Sequence, residues 1–185
     1  MADQFPVVVL TQAAGRAGRG DSPGEVVIQT YSPEHYAITT AKDQDYEAFY
    51  EEEIAYRQML RYPPVWNMLV VMCTAEDYEV LKRATEYLRE QIDTIIRAGA
   101  AGSEEKSRAD AVGPEQNPTG GVAVIGPADA AISKVNDVYR RVIYMKTSDY
   151  LRLIAMKDGI EREISQNPNY RDINIQFDFN PMSGF

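Results

Sequence analysis

The feature that most constrains this chain is a switch of hydrophobic period at Pro63-Pro64, followed by a regular succession of short and long periodic segments. Residues 65–73 (VWNMLVVMC) form an apolar run of strand length. Thr74 then offers an N-cap for a helix over about 75–97, with Asp77 three positions on. Leu81, Ala84, Leu88, Ile92, Ile95 and Ile96 recur there at helical spacing and make one apolar stripe. Residues 122–125 (VAVI) read as a strand stopped by Gly126-Pro127, and 138–146 (VYRRVIYMK) as a further strand. Ser148 opens a helix to about Ser165, with Leu153, Ile160 and Ile164 inward. Residues 172–179 alternate strictly and place Ile173, Ile175, Phe177 and Phe179 on one side.

The order β-α-β-β-α-β predicts an α+β domain of the split, ferredoxin-like kind over residues 63–185. Ala98–Gly121 interrupts it with five Gly, two Pro and five Ala among mostly polar residues, the composition of a mobile insertion. Ahead of Pro63-Pro64, residues 7–10 (VVVL) and 25–31 (EVVIQTY) read as strands. Ser32-Pro33 reads as a cap and first helical position, opening a helical stretch to about Leu60 that is interrupted near Asp43. Two strands alone are marginal in water, so residues 1–31 are expected to lean on these helices or to stay mobile. At 44% hydrophobic and 25% charged over 185 residues, the chain has material for a sizeable core. No apolar run reaches the roughly 20 residues of a spanning helix, and the N-terminus lacks a signal-peptide pattern, so the expected compartment is the cytoplasm. One cysteine and one histidine exclude an internal disulfide and an ordinary zinc site.

The net charge of −9 argues against a dedicated nucleic-acid binder, but the charge is uneven. Residues 128–157 carry six bases against three acids. Local patches decide association more than the global sum does. Within that region Lys134, Tyr139, Arg140, Arg141, Tyr144 and Lys146 are candidates for a single-stranded DNA face, because aromatics stack on bases and cations track phosphates. Strand alternation sets Tyr139, Arg141 and Ile143 on one face and Arg140, Val142 and Tyr144 on the other. The two arginines therefore point oppositely, and a solvated edge strand is the plain alternative.

The string that carries chemistry is Gln12-Ala13-Ala14-Gly15-Arg16-Ala17-Gly18-Arg19-Gly20, directly after an apolar strand. Arginine stabilises the charge on a transferring γ-phosphoryl group, and its planar guanidinium grips two phosphate oxygens at once. Adjacent glycines let backbone approach a nucleotide closely. The string matches Q-x-x-G-R-x-G-R, motif VI of the superfamily-two helicases. With the flanking L-T-Q-A-A-G-R-A-G-R-G-D-S-P-G-E-V-V-I-Q-T-Y-S-P-E-H-Y-A-I and the later D-Y-E-A-F-Y-E-E-E-I-A-Y-R-Q-M-L-R-Y-P-P-V, the chain resembles the PriA family of replication-restart helicases. The closing I-Q-F-D-F-N-P-M resembles that family too.

The resemblance implies three parts: residues 1–31 as the end of a second RecA-like lobe, 32–62 as a helical connector, and 63–185 as a C-terminal domain. It implies Arg19 first and Arg16 second as the arginines that reach ATP, with Gln12, Gly15 and Gly18 beside the nucleotide. It also implies ATP with magnesium, zinc held by upstream cysteines, and forked or single-stranded DNA as partner. A single-strand-binding protein and other primosome proteins are implied partners as well. Two departures stand out. Arg141 occupies the place of the family's tryptophan, and Gly126-Pro127 is followed by Ala-Asp-Ala in place of Pro-x-Pro. The pattern G-x-x-x-x-G-K-[ST] is absent from the sequence, so the chain alone is expected not to hydrolyse ATP. The alternative is a stand-alone DNA- or protein-binding accessory module without ATPase activity.

The remaining reactive side chains have plain readings. Glu51-Glu52-Glu53 reads as a solvated helix face, His35 as a first-turn residue, Cys73 as an inert core thiol and Trp66 as a core or inter-domain anchor.

Overall fold

The computed structural model describes residues 26–101 and 121–181. The chain divides into two compact units at the boundary between Leu60 and Arg61. Among the described residues the class is mixed α and β, with four α-helices and one four-stranded sheet.

The second unit holds β1 (Asn67–Ala75), β2 (Ala123–Val135), β3 (Val138–Thr147) and β4 (Asn174–Phe179). They lie in the order β2-β3-β1-β4, every neighbouring pair antiparallel. Val71 sits opposite Ile143 on one side and Phe177 on the other, which fixes the register of β3, β1 and β4. Leu69, Val71 and Cys73 of β1 share a face with Ile143 and Met145 of β3. That face is covered by Leu81, Leu88 and Ile92 from one helix (Tyr78–Ala101) and by Leu153 and Ile160 from another (Tyr150–Gln166). Each such large apolar side chain contributes roughly 1.5–3 kcal/mol on burial. The thiol of Cys73 is part of this core, and burial pushes its pKa up to about 12.

Local starts and stops differ from the sequence expectation in instructive ways. β1 runs through Thr74 to Ala75, because Thr74 is paired with both Arg140 and Asn174. Asp77 caps the following helix instead, its Oδ1 accepting from the amides of Glu79 (2.8 Å) and Val80 (3.1 Å). Asp149 caps the last helix in the same way, accepting from the Arg152 amide. A carboxylate complements the helix N-terminus more strongly than a hydroxyl does. β2 does not end at Gly126-Pro127 but continues to Val135 through register shifts. Proline is tolerated in an edge strand at a bulge, where no ladder donor is needed. The peptide between Gly126 and Pro127 is cis. Asn136 and Asp137, both at positive φ, make the tight turn into β3.

The first unit contains α1 (Tyr36–Asp43) and α2 (Tyr46–Leu60); the two helices of the second unit are hereafter α3 and α4. Gln44, at φ 55°, separates α1 from α2. α1 begins later than Ser32-Pro33 suggests, since His35 is the cap and its Nδ1 accepts from the Ala37 amide. Glu53 is buried and not solvated: it accepts from the Tyr36 hydroxyl and pairs with Arg57 at 2.6 Å. Residues 26–30 form no strand, although the sequence there is β-rich; a ladder needs a neighbour, and none of the described strands pairs with them. The expected strand at 7–10 lies outside the described residues, as does nearly all of the 98–121 insertion.

Candidate nucleic-acid interface

β3 presents the predicted basic residues, and its pairing decides what each of them does. Residues 139, 141, 143 and 145 lie opposite 75, 73, 71 and 69 of β1, on the face covered by the helices. Arg140, Val142, Tyr144 and Lys146 lie opposite Thr74, Met72, Val70 and Met68, on the other face.

Arg141 is consequently an internal residue. It is 8% exposed, and its guanidinium donates to Thr85 Oγ1 (2.8 Å), to the Lys82 carbonyl (3.4 Å) and to the Pro127 carbonyl (3.4 Å). Its Nε lies 3.2 Å from Asp129 Oδ1, off-line for a hydrogen bond, so that contact is an ion pair only. The Tyr78 hydroxyl also donates to Asp129. Every nitrogen of the fork faces the chain itself, and none is turned out to grip a phosphate. Tyr139 shares this side, with Tyr78 at 5.3 Å between ring centroids and Lys134 Nζ 4.8 Å from its own ring centroid. Lys134 sits at the turn end of the β2–β3 hairpin and pairs with Asp137 at 2.9 Å, which raises its pKa.

The other face is different in kind. Met68, Val70 and Val142 form a small buried cluster there, with Tyr62, Met72 and Tyr144 packed against it. Arg140 reaches the sulfur of Met72 (3.3 Å) and stands at one end of the row. Lys146 stands at the other, its ammonium 3.6 Å from the centroid of the Tyr62 ring. Desolvation and, second, the charge of Arg61 hold Lys146 below the usual lysine range. Asn174, Gln176 and Asp178 of β4 alternate onto this side, because Asp178 pairs with Val70. β4 therefore adds no cation to this face. Of the five predicted nucleic-acid residues, the sheet places Arg140 and Lys146 together, Tyr139 and Arg141 behind it, and Lys134 at the hairpin end.

Sequence reasoning did not single out Arg61 and Tyr62. In the sequence Pro63-Pro64 marks a helix stop and Trp66 a core or inter-domain anchor at the start of a strand, yet two aromatics and a cation flanking Pro-Pro are a signal that a turn can bring together. The motif VI residues Gln12, Gly15, Arg16, Gly18 and Arg19 lie outside the described residues. Among the described residues no group of three or more His, Cys, Asp or Glu is placed to hold a metal ion, and no helix is long and apolar enough to cross a membrane.

Residues 58–182 match the family model described as the primosomal protein N C-terminal domain. The chain belongs to this family. The match takes in the Arg61–Trp66 turn, the whole sheet and both covering helices. The chain is 32% identical over 173 residues to the replication restart protein PriA of Bacillus subtilis (strain 168), covering 94% of this chain and 19% of that protein. It is 30% identical over 166 residues to the PriA of Synechocystis, covering 90% and 17%. With Chlamydia pneumoniae PriA it shares 38% identity over 90 residues, covering 46% and 12%. The chain thus spans about a fifth or less of the length of the curated relatives it matches. The primosomal protein N C-terminal domain supplies the sheet just described, and with it the two faces of β3.

Proposed function

We propose that the chain is the C-terminal part of an ATP-dependent DNA helicase of replication restart, and that its sheet holds single-stranded DNA on the face turned away from the helices. The family match over residues 58–182, to proteins named for replication restart, carries this reading. The strand row supports the choice of surface through Arg140 and Tyr144, a half-buried cation and aromatic on one side of one strand, whereas Lys146 on the same side is buried against Tyr62. The element order and the strand order β2-β3-β1-β4 support reading the domain as ferredoxin-like.

In this reading residues 1–31 complete a RecA-like lobe. Arg19 and Arg16 neutralise charge on the γ-phosphate of ATP, with Gln12, Gly15 and Gly18 lining the nucleotide. ATP and magnesium are held by other parts of such a protein. The family's zinc belongs elsewhere as well, since this chain has one cysteine, which is buried, and one histidine, which caps α1. Forked or single-stranded DNA in the bacterial cytoplasm is the partner, joined by other primosome proteins. The basic stretch around 134–157 suits the acidic tail of a single-strand-binding protein.

Fluorescence anisotropy of a labelled single-stranded oligonucleotide across a salt series tests the surface. Wild type should bind with an affinity that falls as salt rises. Arg140→Ala should bind more weakly and flatten the logarithmic salt slope by about 0.7, the loss of one phosphate contact on a single strand. An Arg140→Ala chain with wild-type affinity and slope would refute the assignment.

A further inference from the structure

Three rows of side chains cross the open face of the sheet at right angles to its strands. In the first, Arg140 of β3 lies opposite Thr74 of β1, and Thr74 opposite Asn174 of β4. Val142, Met72 and Gln176 make the second row, and Tyr144, Val70 and Asp178 the third. The first row is polar from end to end. The other two are apolar or aromatic over β3 and β1, and end on β4 in a carboxamide and a carboxylate. Ile125 of β2, itself exposed, extends the third row beyond Tyr144.

Charge is placed at opposite corners of this surface. The Arg140 guanidinium reaches the Met72 sulfur and is in no ion pair among the described residues. Asp178 is exposed and is likewise in no ion pair among the described residues. Their rows lie four residues apart, about 13 Å along the strands, and their strands about 10 Å apart across the sheet. Lys146, further along β3, is buried against Tyr62 and gives a backbone running that way no cation to follow. A backbone that leaves Arg140 across β1 stays on the polar row instead.

That row leads to Asn174, with Gln176 two residues on along β4 and on the same side, about 7 Å away. Both are exposed, and neither carboxamide has a partner among the described residues. Each offers two N–H donors and one carbonyl acceptor. In recognition of unpaired strands, phosphate contacts set the position, and the edges of splayed bases are read by hydrogen bonds. Arg140 supplies the first kind of contact, and the two amides, one strand beyond Thr74, supply the second.

We infer that Asn174 and Gln176 contact the base edges of a single strand whose backbone is held at Arg140, and that Asp178 turns the phosphates away from the far end of β4. This rests on the proposed binding of single-stranded DNA and adds to it the residues that touch the bases and the direction in which the strand crosses the sheet.

Two labelled oligonucleotides of equal length separate base from backbone: a mixed-sequence single strand, and a strand of abasic sites with the same phosphates. Anisotropy with the full chain at low salt reads both. The double variant Asn174→Ala/Gln176→Ala should bind the base-bearing strand about fivefold more weakly or worse, the lower end for losing one amide–base pair, and the abasic strand as wild type does. Asp178→Asn should tighten both by about two- to fivefold, a gain that fades as salt rises. In wild type, the side-chain amide nitrogen–proton signals of Asn174 and Gln176 should move with the base-bearing strand and not with the abasic one, a readout that needs no variant. Equal losses on the two strands, no loss on either, or amide signals unmoved by a bound strand overturn the base contact and leave the DNA-binding reading standing. Asp178→Asn without any gain overturns the direction of crossing. Wild type that is folded and binds neither strand overturns both the inference and the reading beneath it.

Discussion

Replacing Arg141 with alanine should lower the unfolding temperature of the second unit by roughly 10 °C, and the loss should appear as stability before it appears as DNA affinity. The guanidinium is buried and serves three acceptors from two elements: Lys82 and Thr85 of α3, and Pro127 of β2. Alanine leaves these groups without their donor and opens a cavity beneath β2. Breaking a buried charged network of this kind costs about 3–5 kcal/mol. The figure is reduced here to about 2–4 kcal/mol, because the Asp129 side chain is 48% exposed and water can take over its half of the pair. Asp129→Asn should therefore cost less than about 1 kcal/mol. Arg141→Lys should fall between, since an ammonium keeps the charge but cannot reach both α3 and the Pro127 carbonyl as a planar fork does. Thermal unfolding by circular dichroism separates the three. An Arg141→Ala chain as stable as wild type would show that the fork is not what fastens β2 to α3.

Gly126→Ala should be as damaging by a different route. A Cβ on Gly126 would stand 2.7 Å from the Val142 carbonyl oxygen and 3.2 Å from the Ala128 nitrogen. Both are backbone atoms of paired strands, so neither can swing aside as a flexible side chain would. Gly126 also holds φ +98°, a conformation that L side chains rarely adopt. The bulge has to shift, and its carbonyls are what the arginines grip. Arg89 of α3 donates to Gly126 (2.8 Å) and Val124 (3.2 Å), while Arg141 donates to Pro127. Strain and lost clamps together amount to about 3–5 kcal/mol. Urea denaturation should show a lower midpoint with little change in slope. A midpoint within experimental error of wild type would mean that the bulge is freely adjustable.

Much of this architecture was readable from period alone. The stripe from Leu81 to Ile96 names the buried face of α3, and the alternation of β3 tells that Arg140 and Arg141 part company. Alternation cannot tell which of the two faces the helices cover, and that choice is what turns Arg141 inward and Arg140 outward. Gly126-Pro127 read as a stop because proline usually is one; the bulge that absorbs it depends on Arg89 and Arg141, which arrive from distant parts of the chain. Thr74 reads as the cap with Asp77 three positions on, but pairing with β3 and β4 draws Thr74 into the strand and leaves the cap to Asp77. Glu53 looked like its two exposed neighbours until Tyr36 and Arg57 enclosed it. The Arg61–Trp66 turn was hidden for the same reason, because its partner Lys146 lies 84 positions further on than Tyr62. The motif VI arginines stayed where the sequence left them, a chemical signature outside the described residues.

Which face of the sheet meets nucleic acid is the point on which the account turns, and the methionines mark both faces. Met68 and Met72 belong to the face with Arg140 and Lys146, whereas Met145 and Met156 lie in the core beneath α3 and α4. With the methionine methyls carbon-13 labelled, titration with a single-stranded oligonucleotide followed by methyl NMR reads the two sides in one spectrum. The account predicts shifts at Met72, which touches Arg140, and at Met68, with Met145 and Met156 unmoved. Shifts confined to Met145 and Met156, or none at Met68 and Met72 under conditions where the oligonucleotide is bound, would contradict it.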